Sequence, residues 1–137
     1  MILLDMNTCV DLLCGTSEST AQRLDSHDAA EVRIPAIVAA ELLFGARKGG
    51  RAKALSATRA LIATIGVAPF DAAAAEHYGI IRNALNNAGK PIGPNDLLIA
   101  ATALSLGATL ATANVDEFSR VPGLAVENWR ALAPQDH

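Results

Sequence analysis

Asp5, Glu41, Asp96 and the trio Asn114, Asp116 and Glu117 are the positions in this chain whose types and placement could do chemistry. Each stands at the border of an apolar stretch. Asp5 ends the run "ILLD". Glu41 is the only charge between Ile34 and Ala46, and no Lys or Arg stands three or four positions from it. Asp96 and Asp116 bracket a segment without a single charged side chain. A carboxylate on an apolar face is costly unless it is paired or holds a cation. Taken singly, the acids have ordinary readings. Asp96 could stabilise a helix start by about 0.3–1 kcal/mol, and Asp5 could bond a backbone turn. A shared cation site accounts for all of them, because gathered carboxylates repel one another unless a cation neutralises them. Oxygen-only ligands prefer Mg²⁺ or Mn²⁺.

Such a site requires elements that bring residues 5, 41, 96 and 114–117 to one place. The runs "ILLD", "EVRIPA", "VAPF", "ATLATA" and "LAVENW" read as short strands. Between them lie helical patterns. Asn7 or Thr8 can cap a helix through about Cys14, and Thr16 or Ser17 a second through about Ala30. "AIVAAELLFGARKG" is stopped by Gly49 and Gly50, and "RAKALSATRALIATIG" by Gly66. Asp71 caps the helix "AAAAEHYGIIRNALNNAG", and Asn95 or Asp96 caps "LLIAATALSLG". Short apolar strands separated by helices imply an α/β fold. Its centre is a parallel sheet of about five short strands, with helices on both faces. The crevice of such a sheet lies at the carboxyl ends of its strands. Asp5 and the residues after "ATLATA" fall at that edge, and so does the amino terminus of the helix that begins near Asp96.

The bulk properties restrict the alternatives. A chain of 137 residues with 51% hydrophobic and 18% charged residues is ordinary globular material, expected to form a single domain. Gly107 and Asn114 break the longest apolar run, so no membrane span is expected. The start "MILLDMN" lacks a basic leader, which points to a cytoplasmic protein. Cys9 and Cys14, spaced unlike a zinc pair, read as packed thiols in a reducing compartment. His27, His77 and His137 show no ligand spacing. The net charge of −3 does not suggest nucleic-acid binding, but an acidic metal centre alone would subtract several charges. Arg47, Lys48, Arg51 and Lys53 cluster in "ARKGGRAK", either as a solvated face or as phosphate contacts. Receiver domains need an acidic pair after the first strand, where this chain offers only Asp5. Haloacid-dehalogenase-type phosphatases need DxD where the chain has "DMN".

The stretches "LLDMNTCV", "VAAELLFGA", "GPNDLLIAATALSLGATLATANVDEFSRVPGL" and "VENW" resemble the PIN-domain ribonuclease toxins of the VapC type. The resemblance covers essentially the whole chain, in the expected order. The sequence is especially similar to the VapC toxins that cleave initiator tRNA, and FitB-like members are similar too. The resemblance implies one PIN domain over residues 1–137 with a three-layer α/β/α fold. It implies a Mg²⁺- or Mn²⁺-dependent endoribonuclease, the toxin of a type II toxin–antitoxin system. Such an enzyme hydrolyses RNA, tRNA among the candidates, by metal-activated water and leaves a 5′-phosphate and a 3′-hydroxyl. A VapB-type antitoxin and homodimerisation are also implied.

Matched residue by residue, Asp5, Glu41 and Asp96 are the family's first, second and third acids. Asp5 and Asp96 are expected to hold the metal. Glu41 is expected to hold a second metal or to orient the attacking water. The fourth acid is open: many relatives have Asp where this chain has Asn114, Glu117 matches an acid nearer the Phe, and Asp116 is a further candidate. Asn7, Thr112 and Asn114 are expected to support the acids. Met6 departs from the Thr or Ser that usually follows the first acid and cannot donate a hydrogen bond. Arg47, Lys48, Arg51 and Lys53 are expected along the RNA backbone. Met6 and Asn114 also support a second reading, a catalytically degenerate PIN domain that only binds RNA or a partner.

Overall fold

The computed structural model describes residues 1–131. Five strands form one parallel sheet: β1 (Ile2–Leu4), β2 (Val32–Pro35), β3 (Val67–Ala68), β4 (Thr109–Ala111) and β5 (Val126–Glu127). Their order is β3-β2-β1-β4-β5. β1 is central, with Ile2 opposite both Val32 and Thr109, and Leu4 opposite Ala111. Seven α-helices connect the strands: α1 (Met6–Cys14), α2 (Glu18–Asp25), α3 (Ala36–Lys48), α4 (Ala52–Ile65), α5 (Ala72–Asn87), α6 (Pro94–Leu106) and α7 (Val115–Phe118). The strand order runs outward from β1 to β3, then returns to β4 on the other side. Right-handed crossovers therefore put α1–α4 on one face and α5 and α6 on the other. The expected α/β fold, with a five-stranded parallel sheet between helices, is the fold observed.

The strands are short, and the central ones are largely apolar because both faces are covered. Leu3, Leu4, Ile34 and Leu110 have no exposed surface. α6 explains the charge-free segment. Leu97, Ile99, Ala100, Ala101, Thr102 and Ala103 are all buried, so this helix has almost no wet side. Its one buried hydroxyl, on Thr102, donates to the Leu98 carbonyl at 2.8 Å. Gly107 ends the helix at φ 60°, a left-handed conformation in which a side chain would be strained. None of the helices among the described residues is long and apolar enough to cross a membrane.

Several local expectations shift. α1 is capped by Asp5, whose side chain accepts from the Met6 amide, and not by Asn7 or Thr8. The strand therefore turns into the helix at the acid itself, with no loop between. Ser17 caps α2 as expected, but that helix stops at Asp25, and a 3₁₀ turn, Ala29–Glu31, completes the segment. α6 begins two or three residues earlier than a cap at Asn95 or Asp96 would give. Gly93 is the cap and Pro94 the first helical residue, so Asp96 sits inside the first turn. Cys9 is buried as expected, whereas Cys14 is exposed at the end of α1; both are free. Burial, and then the charge of Asp5, push the Cys9 thiol well above its usual range.

The far edge of the sheet is closed by Trp129, only 1% exposed. Its Nε1 donates to Glu127 Oε2 at 3.0 Å, its ring stacks on His27 at 5.6 Å, and its carbonyl accepts from Ser19 Oγ at 2.7 Å. It thus ties β5 to α2. Trp129→Ala is expected to lower unfolding free energy by about 3–5 kcal/mol, the usual cost of emptying a buried aromatic site. Denaturant midpoints measure this, and a loss under about 1 kcal/mol would show that β5 is held by other contacts.

Candidate active site

The order of the sheet changes direction between β1 and β4, and their carboxyl ends open a crevice there. An open cleft of about 600 Å³ occupies this position, lined by Asp5, Glu41, Asp96 and Asn114 together with Met6 and Ile99. Four separate segments bring the polar groups together. Asp5 comes from the β1–α1 junction, Glu41 from the middle of α3, Asp96 from the first turn of α6, and Asn114 from the turn after β4.

Asp5 is 5% exposed, and both of its oxygens accept hydrogen bonds. Oδ1 accepts from the Met6 amide at 2.8 Å. Oδ2 accepts from Thr112 Oγ1 at 2.6 Å and from Asn7 Nδ2 at 3.2 Å. The backbone joins in, with the Asp5 amide donating to the Ala111 carbonyl at 2.9 Å. Asn7 Oδ1 in turn accepts from the Ala113 amide at 2.9 Å. Asn7 and Thr112 thus lock the first acid to the end of β4. The hydroxyl that position 6 lacks is supplied from Thr112, and Met6 contributes its backbone amide.

Glu41 is half-buried and accepts a hydrogen bond from the Asn95 side-chain amide at the start of α6. This bond couples α3 to α6 across the cleft. Asn95 was expected only as a helix cap. Its polar side chain beside Asp96, with the capping task taken by Gly93, is the signal that could have suggested another role.

The two acids that follow β4 have different surroundings. Glu117 Oε1 accepts from the Gly93 amide at 3.3 Å and Oε2 from Asn114 Nδ2 at 2.9 Å. Glu117 also faces Asp96, and their contact raises the Asp96 carboxyl and lowers that of Glu117. Asp116 is exposed and Glu117 half-buried, and neither lines the cleft itself. Asn114 both lines the cleft and steadies Glu117.

The acids strain one another electrostatically. Asp96 is pushed up to about 7, first by burial, then by Glu117, and then by the charges of Asp5 and Glu41. Glu117 is held below its usual range, chiefly by its hydrogen bond with Asp96. Among the described residues, no group of three or more His, Cys, Asp or Glu side chains is positioned to hold a metal ion. In this arrangement Glu41 is occupied by Asn95, and Asp96 by Glu117. The chemistry of the donors nevertheless fits a hard divalent cation. They are carboxylate oxygens only, and their mutual repulsion is what such an ion relieves.

Arg47, Lys48, Arg51 and Lys53 are all exposed, and none of them lines the cleft. Arg47 stands six residues beyond Glu41 on α3, about 9 Å along the axis. Arg130 does line the cleft and formed no part of the sequence expectations. Its partner, Asp11, could have been noticed as an acid within the apolar run "CVDLLC".

The raised Asp96 sets a pH dependence. A carboxyl whose folded pKa lies above its unfolded value of 3.8 stabilises the fold most below that value. The contribution is lost as pH rises to about 7. Asp96→Asn keeps an uncharged group there at every pH. In EDTA, its denaturant midpoint relative to the parent should therefore climb as pH rises from 5 to 8. A difference that stays flat over that range would show that Asp96 is not the strained group.

Comparison with known proteins agrees with this geometry. Residues 2–124 match the model of the PIN domain family. The chain is 34% identical over 128 residues to the tRNA(fMet)-specific endonuclease VapC of Salmonella typhimurium, covering 93% of this chain and 96% of that one. Among solved structures, it resembles VapBC2 from Rickettsia felis bound to a promoter DNA fragment. The TM-score is 0.87 at 35% identity, over 94% of this chain and 99% of that one. FitAcB from Neisseria gonorrhoeae matches with a TM-score of 0.84 at 31% identity, over 96% and 100% of the two chains. With this fold and these relatives, the chain belongs to the PIN-domain family, among its VapC ribonucleases.

Proposed function

We propose that the protein is the toxin of a type II toxin–antitoxin system, a Mg²⁺- or Mn²⁺-dependent endoribonuclease working in the cytoplasm. A VapB-type antitoxin would restrain it, tRNA is the favoured substrate class, and the chain would act as a single PIN unit and a homodimer. The observation that carries the reading is the meeting of Asp5, Glu41 and Asp96 in one cleft, with Asp96 driven up to about 7 by its acidic neighbours. The names of the relatives support the substrate and the partner.

Asp5, Asp96 and Glu117 would hold the cation, which when bound acidifies water and offsets charge on the phosphate under attack. Thr112 and Asn7 fix the direction of the Asp5 carboxylate. Asp96, raised beside Glu117, must lose its proton to act as a ligand. Asn95 aims the Glu41 carboxylate, whose second oxygen is then free to orient the attacking water and accept its proton. The buried wall of α6 excludes bulk water behind the acids.

Two measurements test this. Mn²⁺ at about 100 times its dissociation constant should stabilise the parent by about 2.7 kcal/mol. The gain should be larger at pH 8 than at pH 6, since Asp96 must lose its proton, and Asp96→Asn should lose most of it. An equal gain in the variant removes Asp96 from the site. Glu41→Gln should cut RNA cleavage in Mn²⁺ by about 100-fold or more. Cleavage at near-parent rate would mean that Glu41 serves the fold alone. A parent that binds RNA without cutting it in either metal would favour the degenerate binding module.

A further inference from the structure

The acidic cleft has a fixed cation on its rim. Arg130 follows the buried Trp129, and its side chain is 49% exposed. Its Nε donates to Asp11 Oδ2 at 2.6 Å, and its Nη2 to Asp11 Oδ1 at 3.0 Å. Asp11 lies on α1 with its side chain only 6% exposed, and Thr16 Oγ1 donates to its Oδ1 at 2.9 Å. The guanidinium beside Asp11 holds that carboxyl below its usual range. A guanidinium carries five N–H donors in a rigid fork. Asp11 takes two. The remaining three have no protein partner among the described residues. Arg130 is also the one positively charged side chain among the described residues that line the cleft.

Stability alone does not explain this pair. Asp11 is buried but Arg130 is half exposed, and an ion pair that reaches solvent adds only modestly to stability. Asp11 does something a leucine could not: it fixes the orientation of a cation whose other edge stays open. An oriented guanidinium is the side chain best suited to grip a phosphate by two oxygens. The need is clear from the charges. RNA presents a phosphate at every nucleotide, and a strand entering a cleft with Asp5, Glu41 and Asp96 is repelled along its length unless a cation meets it. The Arg47–Lys53 cluster does not line that cleft.

We propose that Arg130, held in place by Asp11, binds the RNA phosphate next to the one being cleaved and thereby sets the register of the strand. This rests on the nuclease reading above, so binding and cleavage are measured separately, with unfractionated tRNA as the probe. In EDTA, where no cleavage occurs, affinity is followed against salt. Arg130→Gln should flatten the slope of log affinity on log salt by about 0.7–0.9, the loss of one phosphate contact. In Mn²⁺, the same variant should raise KM about 10-fold and leave kcat within a factor of about 2, since a flanking phosphate is held equally in ground and transition states. Arg130→Lys should keep the parental slope, because one charge remains.

Arg130→Gln leaves the buried Asp11 unpaired and endangers the fold. The double variant Asp11→Asn/Arg130→Gln removes that charge and should show the same loss of slope. A folded double variant with parental slope and KM would overturn the proposal and leave the pair as a structural tie. A slope lost equally in Arg130→Lys would also overturn it, since the cause would then be the broken tie to Asp11. A parent that binds tRNA but fails to cut it refutes the nuclease reading alone. A parent that does not bind tRNA refutes both.

Discussion

A carboxylate can stay buried only if its oxygens are occupied, and Asp5 shows how much of this fold follows from that requirement. Its two oxygens take three donors, from Met6, Asn7 and Thr112. The first ends β1 and starts α1 without a loop. The other two fasten that junction to the end of β4. Charge-assisted hydrogen bonds of this kind are worth about 1.5–3 kcal/mol each, and an unfilled one costs a comparable amount. The register of β1 against β4 and the start of α1 are thus fixed by a group whose charge belongs to the cleft.

The remaining acids are less completely satisfied, and that difference separates holding from reacting. Glu41 takes one side-chain donor, from Asn95, and Asp96 faces another carboxyl, Glu117, which raises it. The cleft in this form is a set of charges short of a partner. Its strain falls on Asp96, which is more buried than Glu117 and has no amide donors of its own. Glu117, by contrast, is held by Gly93 and Asn114. Two similar acids in contact are driven apart in proton affinity by their different donors.

The sequence made the sheet and the first three acids legible for one reason. An acid at the end of an apolar run is expensive, so its position carries information. Glu41 stood out because no cation lay within a helical turn of it. The caps were harder to read. Asn7, Thr8, Asn95 and Asp96 are all good capping residues by type, yet Asp5 and Gly93 took those places, because Asn7 and Asn95 point toward the acids. Type could not separate capping from support. Cys14 was misjudged as packed because the apolar run around it ends at the open left-handed turn of Gly15. Arg130 escaped notice because its partner lies 119 residues away, beyond any local pattern. The different surroundings of Asp116 and Glu117 needed the geometry of a single helical turn, α7, which turns Asp116 to solvent and Glu117 toward Asp96.

The bond between Asp5 and Thr112 spans 107 residues, and the one between Arg130 and Asp11 spans 119. Closing such long loops is entropically slow and comes late in folding. On a ribosome, the chain emerges from Met1 onward, so β1 waits for its second neighbour until Thr109–Ala111 has been made. Until then Asp5 lacks the Thr112 hydroxyl, Glu117 does not exist, and the rim has no guanidinium. A translation product abandoned early therefore lacks part of the cleft. Such a gene can be read and stopped at many points without releasing a fragment that carries a complete cleft.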